Sequence, residues 1–340
     1  MSWRTTLYEY VHHRNQMELD YSVDPLLPFV QDTAFLQRQH IQLTRRAESD
    51  RDRKLVPVKC ETRLVIDRVS EQPEHTVAEV TLKRTQFGRI RETVHEERRI
   101  EKERLILLAD SDGWSISRIE ALRTEQALRL RPAAPGAWLE AEDDGSSFDY
   151  MRAPSVPFLN RDMIPEWPNA VARAVYNRYA AAFYADLWWD KENPAFLTFE
   201  VDCTNYVSQC LFAGGAPMNY TGKRDSGWWY KGRAGGQELW SFSWSVANSL
   251  PFYLLTSRRG LRGQEVFAPQ DLDIGDCISY DWDGNGRFQH STVVTAKDAN
   301  GMPLVNAHTI SSKHRYWSYT DSHAWTERTR YRFIHIADSL

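Results

Sequence analysis

The sequence predicts an α+β protein of two domains. Its 340 residues exceed the usual size of a single hydrophobic core. Ten of the 13 tryptophans lie beyond residue 160, and Gly88 is the only glycine among the first 100 residues, so the two halves differ in composition. In each half, a segment with helical spacing precedes segments in which polar and apolar residues alternate. This order favours helices packed on antiparallel sheets.

The domain boundary is predicted near residue 155. Residues 131–157 are rich in proline, glycine and acidic residues, which is typical of a linker. We therefore expect an N-terminal domain at 1–155 and a C-terminal domain at 156–340.

The N-terminal domain is predicted to begin with a helix at about 27–54, followed by strands. Four segments alternate polar and apolar residues, as strands with one wet face do, at 60–69, 75–86, 90–109 and 113–122. A helix on such a sheet would be an α+β domain with the element order of cystatin-like or NTF2-like folds. The charged segment 91–108 could equally form a helix.

The C-terminal domain is predicted to contain three helices and then three strands. The helices are expected at 168–190, from Asp202 or Cys203 to the Gly214–Gly215 pair, and at 243–255. The strands are expected at 275–282, 288–297 and 302–309, with the turn sequences DGNG and DANG between them. Strands joined by such turns form an antiparallel sheet.

Charge and cysteine content exclude several classes of function. The net charge of -4 leaves no basic domain to neutralise phosphates, so we expect no nucleic-acid partner. The N-terminus lacks the apolar core of a signal peptide and no stretch approaches a membrane span, so we expect a cytoplasmic protein without membrane contact. Four cysteines without a C-x-x-C pair argue against a disulfide framework or a structural zinc knuckle.

Cys203 and His290 are the candidate catalytic pair. A cysteine acts as a nucleophile in its thiolate form, and a helix N-terminus together with an imidazolium lowers its pKa of about 8.5. Cys203 follows Asp202, a potential helix N-cap, and precedes an apolar helical run. His290 begins an apolar strand from which its side chain can face a helix terminus. The alternatives are a buried core cysteine and a structural histidine.

Further polar and aromatic residues complete the predicted site. Asn306 and His308 lie two residues apart on one strand and share a face, so either could orient His290, and we favour His308. Tyr176 is a candidate second oxyanion donor beside the backbone N–H of Cys203. Aromatic residues in a glycine-containing loop are candidate substrate contacts, and the tryptophans of this region could equally be core: Trp228, Trp229 and Tyr230.

The ordered motifs DCTNYVSQCLFAGG, SWSVAN, GDCISYD, HSTVV and AHT resemble the putative amidase domain family, over roughly residues 170–338. That family is similar to the NlpC-type branch of the papain-like cysteine peptidases. The resemblance implies a papain-like helix bundle packed on an antiparallel sheet, with Cys203 as nucleophile, His290 as base and a polar third residue at His308 or Asn306. Tyr206 stands where the family often has phenylalanine, which is a conservative difference.

These observations predict a cysteine-dependent amidase or peptidase that acts through an acyl-enzyme and needs no metal or cofactor. Its partner would be a peptide or amide substrate. The resemblance favours a cell-wall peptide, whereas the missing signal core favours an intracellular substrate. The same residues support acyl transfer to an amine. Two alternatives stay open: a catalytically silent peptide- or glycan-binding module, and a zinc site formed by Cys203, His290 and His308.

Overall fold

A computed structural model describes residues 2–111, 113–123, 125, 174–234 and 237–340. These residues divide into two compact units. The first contains the described residues of Met1–Glu125, Lys297–Leu304 and Ile310–Thr326, and the second those of Gln126–Ala296, Val305–Thr309 and Glu327–Leu340. Residues 297–304 and 310–326, expected in the C-terminal domain, therefore cluster with the first unit. The predicted boundary near residue 155 and the linker at 131–157 lie outside the described residues.

The helices and strands are numbered here in chain order. The described α-helices are α1 Trp3–Asp20, α2 Thr33–Arg53, α3 Arg178–Trp188, α4 Cys203–Ala213, α5 Phe242–Ser245 and α6 Ser249–Thr256. The described strands are β1 Val56–Glu71, β2 His75–Ile90, β3 Thr93–Asp110, β4 Gly113–Ala121, β5 Tyr230–Ala234, β6 Gln237–Trp240, β7 Gly263–Val266, β8 Cys277–Asp281, β9 His290–Lys297, β10 Pro303–Ala307, β11 Ser312–Tyr316 and β12 Arg330–Ile336.

The first unit packs α1 and α2 with an antiparallel sheet. The strand order is β1-β2-β3-β11, and β4 also pairs with β3. The predicted helix at 27–54 is confirmed as α2, which begins at Thr33 because the Asp32 carboxylate accepts a bond from the N–H of Phe35 at 2.9 Å. Residues 93–108 of the segment 91–108 lie in strand β3 rather than in a helix, because β2 pairs with β3 along its whole length, and residues 91–92 form the turn between the two strands.

Helix α1 was not predicted, and its composition explains why. Its buried face includes the charged residues Arg14 and Glu18 beside apolar ones. Arg14 bonds Glu103 at 2.7 Å and Glu101 at 3.1 Å, while Glu18 pairs with Arg84. Because these charges are paired, a polar stripe can face the interior. A search for apolar periodicity therefore misses the helix.

In its described part, the second unit packs helices α3 to α6 with a sheet of order β10-β9-β8-β12-β7. The three predicted C-terminal strands are confirmed as β8, β9 and β10, and β8 pairs antiparallel with β9. Its core is strongly aromatic and includes Tyr206, Trp228, Trp229, Tyr230, Trp240 and Trp244. The α+β class expected from the sequence is confirmed.

Two predicted helices differ from the sequence expectation. The segment 168–190 is helical only over Arg178–Trp188 in its described part, and Tyr179 and Phe183 are exposed while small alanines face the core. The segment 243–255 forms α5 and α6, because Val246 adopts an extended conformation between them. Among the described helices, none is both long enough and apolar enough to cross a membrane.

Candidate active site

The first turn of α4 meets the start of β9. Asp202 is the N-cap of α4, so Cys203 is the first helical residue, as the sequence predicts. The hydroxyl of the next residue, Thr204, lies 3.2 Å from the hydroxyl of Ser291. Ser291 follows His290, and the residues named as candidate nucleophile and base therefore lie on neighbouring segments. Cys203 itself is buried, with 1% of its surface exposed.

Opposing effects act on the Cys203 thiol. Burial is the largest and raises its pKa, because a thiolate is poorly solvated inside the protein. Hydrogen bonds from the backbone N–H groups of Ser291 and Thr204, and the Thr204 hydroxyl 3.7 Å from Sγ, lower it. The Asp202 carboxylate raises it. The net effect is a pKa above the ordinary thiol value.

His290 is fully buried against aromatic side chains. Its ring lies 5.4 Å from the ring of Tyr280, its partner across the β8–β9 pair, and 5.9 Å from that of Trp282. Ser291 instead turns its hydroxyl to Thr204 on α4. Since Ser291 N–H bonds the sulfur, covalent geometry places the Cα of His290 within roughly 6 Å of Sγ.

His308 binds Asp202 instead of extending toward His290. Its Nδ1 lies 2.8 Å from Asp202 Oδ2, and its Nε2 lies 2.7 Å from the carbonyl oxygen of Trp188. The ring also stacks on Tyr206 at 4.0 Å. Both ring nitrogens are thus engaged, so the described contacts make His308 a positioning residue for the N-cap of α4. They do not provide the predicted contact with His290.

Asp202 is held on several sides. Its Oδ1 accepts bonds from the N–H of Phe199 at 3.0 Å and from Asn205 Nδ2 at 2.8 Å, in addition to the contact between Oδ2 and His308. The sequence predicts Asp202 as N-cap, and the structure agrees. Its side chain, however, bonds neighbouring segments and Asn205 rather than the first N–H groups of the helix.

Asn306 lies beside His308 on the strand but has different partners. Its Oδ1 accepts a bond from Thr295 at 2.8 Å, and its Nδ2 donates to Asp186 at 2.8 Å. These bonds connect β10 to β9 and to α3. The described contacts of Asn306 therefore fix the sheet against the helix, and the choice between Asn306 and His308 as third member stays a prediction.

Tyr176 lies at the other end of α4. A Cβ at Gly214, the C-cap residue of the helix, would overlap the Tyr176 ring. An 11-residue helix spans about 16 Å, so the phenol is far from the Cys203 thiol. Its hydroxyl donates to the carbonyl of Gly275 at 2.8 Å. This corrects the expectation that Tyr176 supplies an oxyanion donor.

The three aromatic residues expected to contact substrate belong to the core. Trp228, Trp229 and Tyr230 expose 5% or less of their surface. The indole N–H of Trp228 donates to Ser208 at 3.0 Å, and the hydroxyl of Tyr230 accepts a bond from the N–H of Leu197. In this structure they support α4 rather than presenting a surface to a ligand.

The zinc interpretation finds no support in the arrangement. Within the part of the chain that the structure describes, no three His, Cys, Asp or Glu side chains come close enough together to hold a metal ion. His308 in particular uses both ring nitrogens in protein contacts.

Sequence reasoning missed Ser291 and Thr204. Each directly follows a residue that was identified, and together they connect the helix to the strand. The available signal was that each is a polar residue near the start of an otherwise apolar element, Thr204 in α4 and Ser291 in β9. Its partner could not be read from the sequence, because the two residues are 87 positions apart.

Known proteins support part of this interpretation. The model of a family described as "Putative amidase domain" matches residues 175–334. The "Uncharacterized protein YhbB" of Bacillus subtilis (strain 168) is 52% identical over 163 residues, which are 48% of this chain and 51% of that protein. The chain thus spans about half the length of this relative.

One solved structure was also matched, the intermembrane space region of the chloroplast protein ARC6. It is 21% identical, covers 36% of this chain and 97% of its own, and has a TM-score of 0.25. A similarity this low carries no argument about fold or function. The match to the family described as "Putative amidase domain" covers residues 175–334, a little under half of the chain.

Proposed function

We propose that the second unit is a papain-like cysteine amidase, in which Cys203 is the nucleophile and His290 the general base. The family match supports hydrolysis of amide bonds. The observation that carries the cysteine mechanism is the bond from the N–H of Ser291 to the sulfur, at the first residue of α4. It brings the thiol to the residue beside His290. The N-terminus of the helix adds a positive potential that favours a thiolate.

The proposed reaction has two steps. His290 takes the thiol proton as Sγ attacks the carbonyl carbon, and the imidazolium then donates that proton to the departing amine. A thioester between Cys203 and the acyl group results. Water, deprotonated by His290, attacks the thioester, which releases a carboxylic acid and restores the thiol. The backbone N–H of Cys203 would hold the oxyanion in both steps.

His308 and Asp202 act indirectly in this proposal. Their 2.8 Å contact fixes the N-cap and hence the direction in which the first turn of α4 presents Cys203. Because the thiol is buried and its pKa raised, His290 must take the thiol proton for the sulfur to attack.

Trapping the acyl-enzyme tests this function. The protein is incubated with a panel of N-acetylated amino-acid p-nitroanilides, quenched in acid and examined by intact mass and peptide mapping. We expect an acyl adduct on Cys203 and release of p-nitroaniline. Release of p-nitroaniline that persists in Cys203→Ala would contradict the mechanism.

A catalytically silent peptide- or glycan-binding module is the second candidate, and the burial of Cys203 favours it. Such a module would bind ligands equally well with and without the thiol. It would also show no adduct with any member of the panel.

A further inference from the structure

Arg224 carries a charge that the described part of the second unit does not neutralise. Among the described residues it forms no hydrogen bond or ion pair through its guanidinium. Its Nε and Nη2 are shielded from solvent and have no partner. The residue as a whole is half-buried, so these two nitrogens are unsatisfied donors inside the protein. An unsatisfied buried donor costs about 1–3 kcal/mol.

Aromatic rings hold this guanidinium but satisfy none of its donors. Its Cζ lies 4.5 Å from the centre of the Trp240 ring and 5.1 Å from that of Phe242. Such cation–π contacts stabilise the folded protein by about 0.5–2 kcal/mol. They engage the flat face of the guanidinium. The edge that carries Nε and Nη2 is the one that binds a carboxylate through two parallel hydrogen bonds.

Trp240 adds a third donor to the same cluster. Its indole N–H is also buried without a partner, and 9% of the residue is exposed. Three donor nitrogens without a hydrogen-bond partner among the described residues are complementary to a group that only accepts hydrogen bonds. An ionised carboxylate is such a group.

The cluster is connected to the candidate active site. The Trp240 ring lies 5.0 Å from that of Phe199, and the N–H of Phe199 donates to Asp202, the residue before Cys203. From Arg224 to the head of α4 there is thus one continuous path of contacts within the second unit.

We propose that Arg224 and Trp240 bind a carboxylate of the substrate, so that the preferred substrate is an acidic amide or peptide. This inference rests on the proposed function for the position of the scissile bond. Binding of the carboxylate itself does not require catalysis, so the two proposals can fail separately.

The test measures binding to the Cys203→Ala protein by titration calorimetry. The probes are N-acetyl-L-glutamate α-methylamide and N-acetyl-L-glutamine α-methylamide, which differ only in carboxylate against carboxamide. Arg224→Met keeps the apolar stem and removes the charge, and Arg224→Lys keeps the charge without the paired donors. Arg259→Met is the control, because Arg259 is an exposed arginine of the same unit.

We expect the acidic probe to bind at least about tenfold more tightly than the neutral one, and Arg224→Met to remove that preference. Arg224→Lys should keep part of it and Arg259→Met all of it. Equal affinity for both probes, an unchanged preference in Arg224→Met, or no binding of the acidic probe at tens of millimolar would overturn the proposal. If the wild type hydrolyses no amide but the Cys203→Ala protein still prefers the acidic probe, only the proposed amidase activity would be refuted.

Folding of the variants is checked by thermal unfolding. Replacing the half-buried Arg224, which has two unsatisfied donor nitrogens, with an apolar side chain should leave the midpoint unchanged or raised. If Arg224→Met does not fold, the test rests on Arg224→Lys. If that variant keeps the full preference for the acidic probe, bidentate binding of the carboxylate by Arg224 is contradicted.

Discussion

Helix α4 carries two buried cysteines in different environments. At the first residue, Cys203 receives hydrogen bonds from Ser291 and Thr204. Two turns later, Cys210 lies in the apolar core beside Cys277. Burial is the largest effect on both thiols and raises both pKa values. The difference is that donors from another segment meet only the sulfur at the head of the helix.

This contrast shows that burial alone does not separate a reactive cysteine from a structural one. Both sulfurs expose 1% or less of the residue. What differs is the position at a helix N-terminus and the approach of a polar strand start. The account is therefore strongest where an experiment treats the two cysteines differently.

Removing each sulfur gives the largest expected contrast. Cys203→Ala should lower hydrolysis of the p-nitroanilide panel by about ten-thousandfold or more, because no other group can form the acyl-enzyme. Cys210→Ala should keep the activity and lower only the stability, since it removes a core sulfur. Turnover and thermal unfolding of both variants check this. Equal loss of activity in Cys203→Ala and Cys210→Ala would show that the two cysteines do not differ in function.

Removing the histidines should give the next largest effect. His290→Ala should lower turnover by about a hundredfold to ten-thousandfold and remove the ascending limb of the pH profile, because it takes away the general base. His308→Ala should leave that limb in place and reduce activity less, since His308 acts through Asp202. A pH-rate profile of each variant distinguishes the roles. If the ascending limb of the pH-rate profile were lost in His308→Ala and kept in His290→Ala, the roles assigned to the two histidines would have to be exchanged.

Much of the site was predictable from the sequence because it depends on local signals. The start of α4 at Cys203 follows from Asp202, and its end from Gly214, which is the C-cap. Strand β9, His290–Lys297, falls within the strand predicted at 288–297 from its apolar run. The partners of His308 were not predictable, since Asp202 and Trp188 lie more than 100 residues away along the chain.

The parts of the fold that escaped prediction are those where paired charges replace apolar contacts. Arg14 and Glu18 lie on the buried face of α1 because ion pairs offset their burial. Periodicity of apolar residues carries no information about such a face. Similarly, Arg224 is conspicuous only once its lack of a partner is visible in three dimensions.

Asp202 offers a smaller test, directed at the head of the helix. Asp202→Ala removes the acceptor for Phe199 and Asn205 and the partner of His308, so we expect a loss of about 2–4 kcal/mol in unfolding free energy. Urea unfolding followed by tryptophan fluorescence measures it. The exposed Asp271 serves as the matched control, and Asp271→Ala should change little. Similar losses of unfolding free energy in the two variants would show that the contacts of Asp202 do not stabilise the protein more than an exposed aspartate does.

The smallest effect concerns Cys60 of the first unit, a third buried cysteine. Burial raises its pKa to about 11. Since the folded state holds the proton more tightly, this stabilisation is complete below the unfolded pKa and is lost as pH rises through 11. At pH 10 the free energy of unfolding should be lower by about 1 kcal/mol because of Cys60, and Cys60→Ala should abolish this part of the pH dependence. Urea unfolding at pH 8 and pH 10 checks it, and an identical pH dependence in both proteins would contradict the shift.

Alkylation of the native protein tests the central claim most directly. Wild type, Cys203→Ser and His290→Ala are treated with iodoacetamide near neutral pH and followed by intact mass and peptide mapping. The account predicts that Cys203 is labelled before Cys60, Cys210 and Cys277, and that His290→Ala slows this labelling. Labelling of Cys203 no faster than that of Cys210 would contradict it.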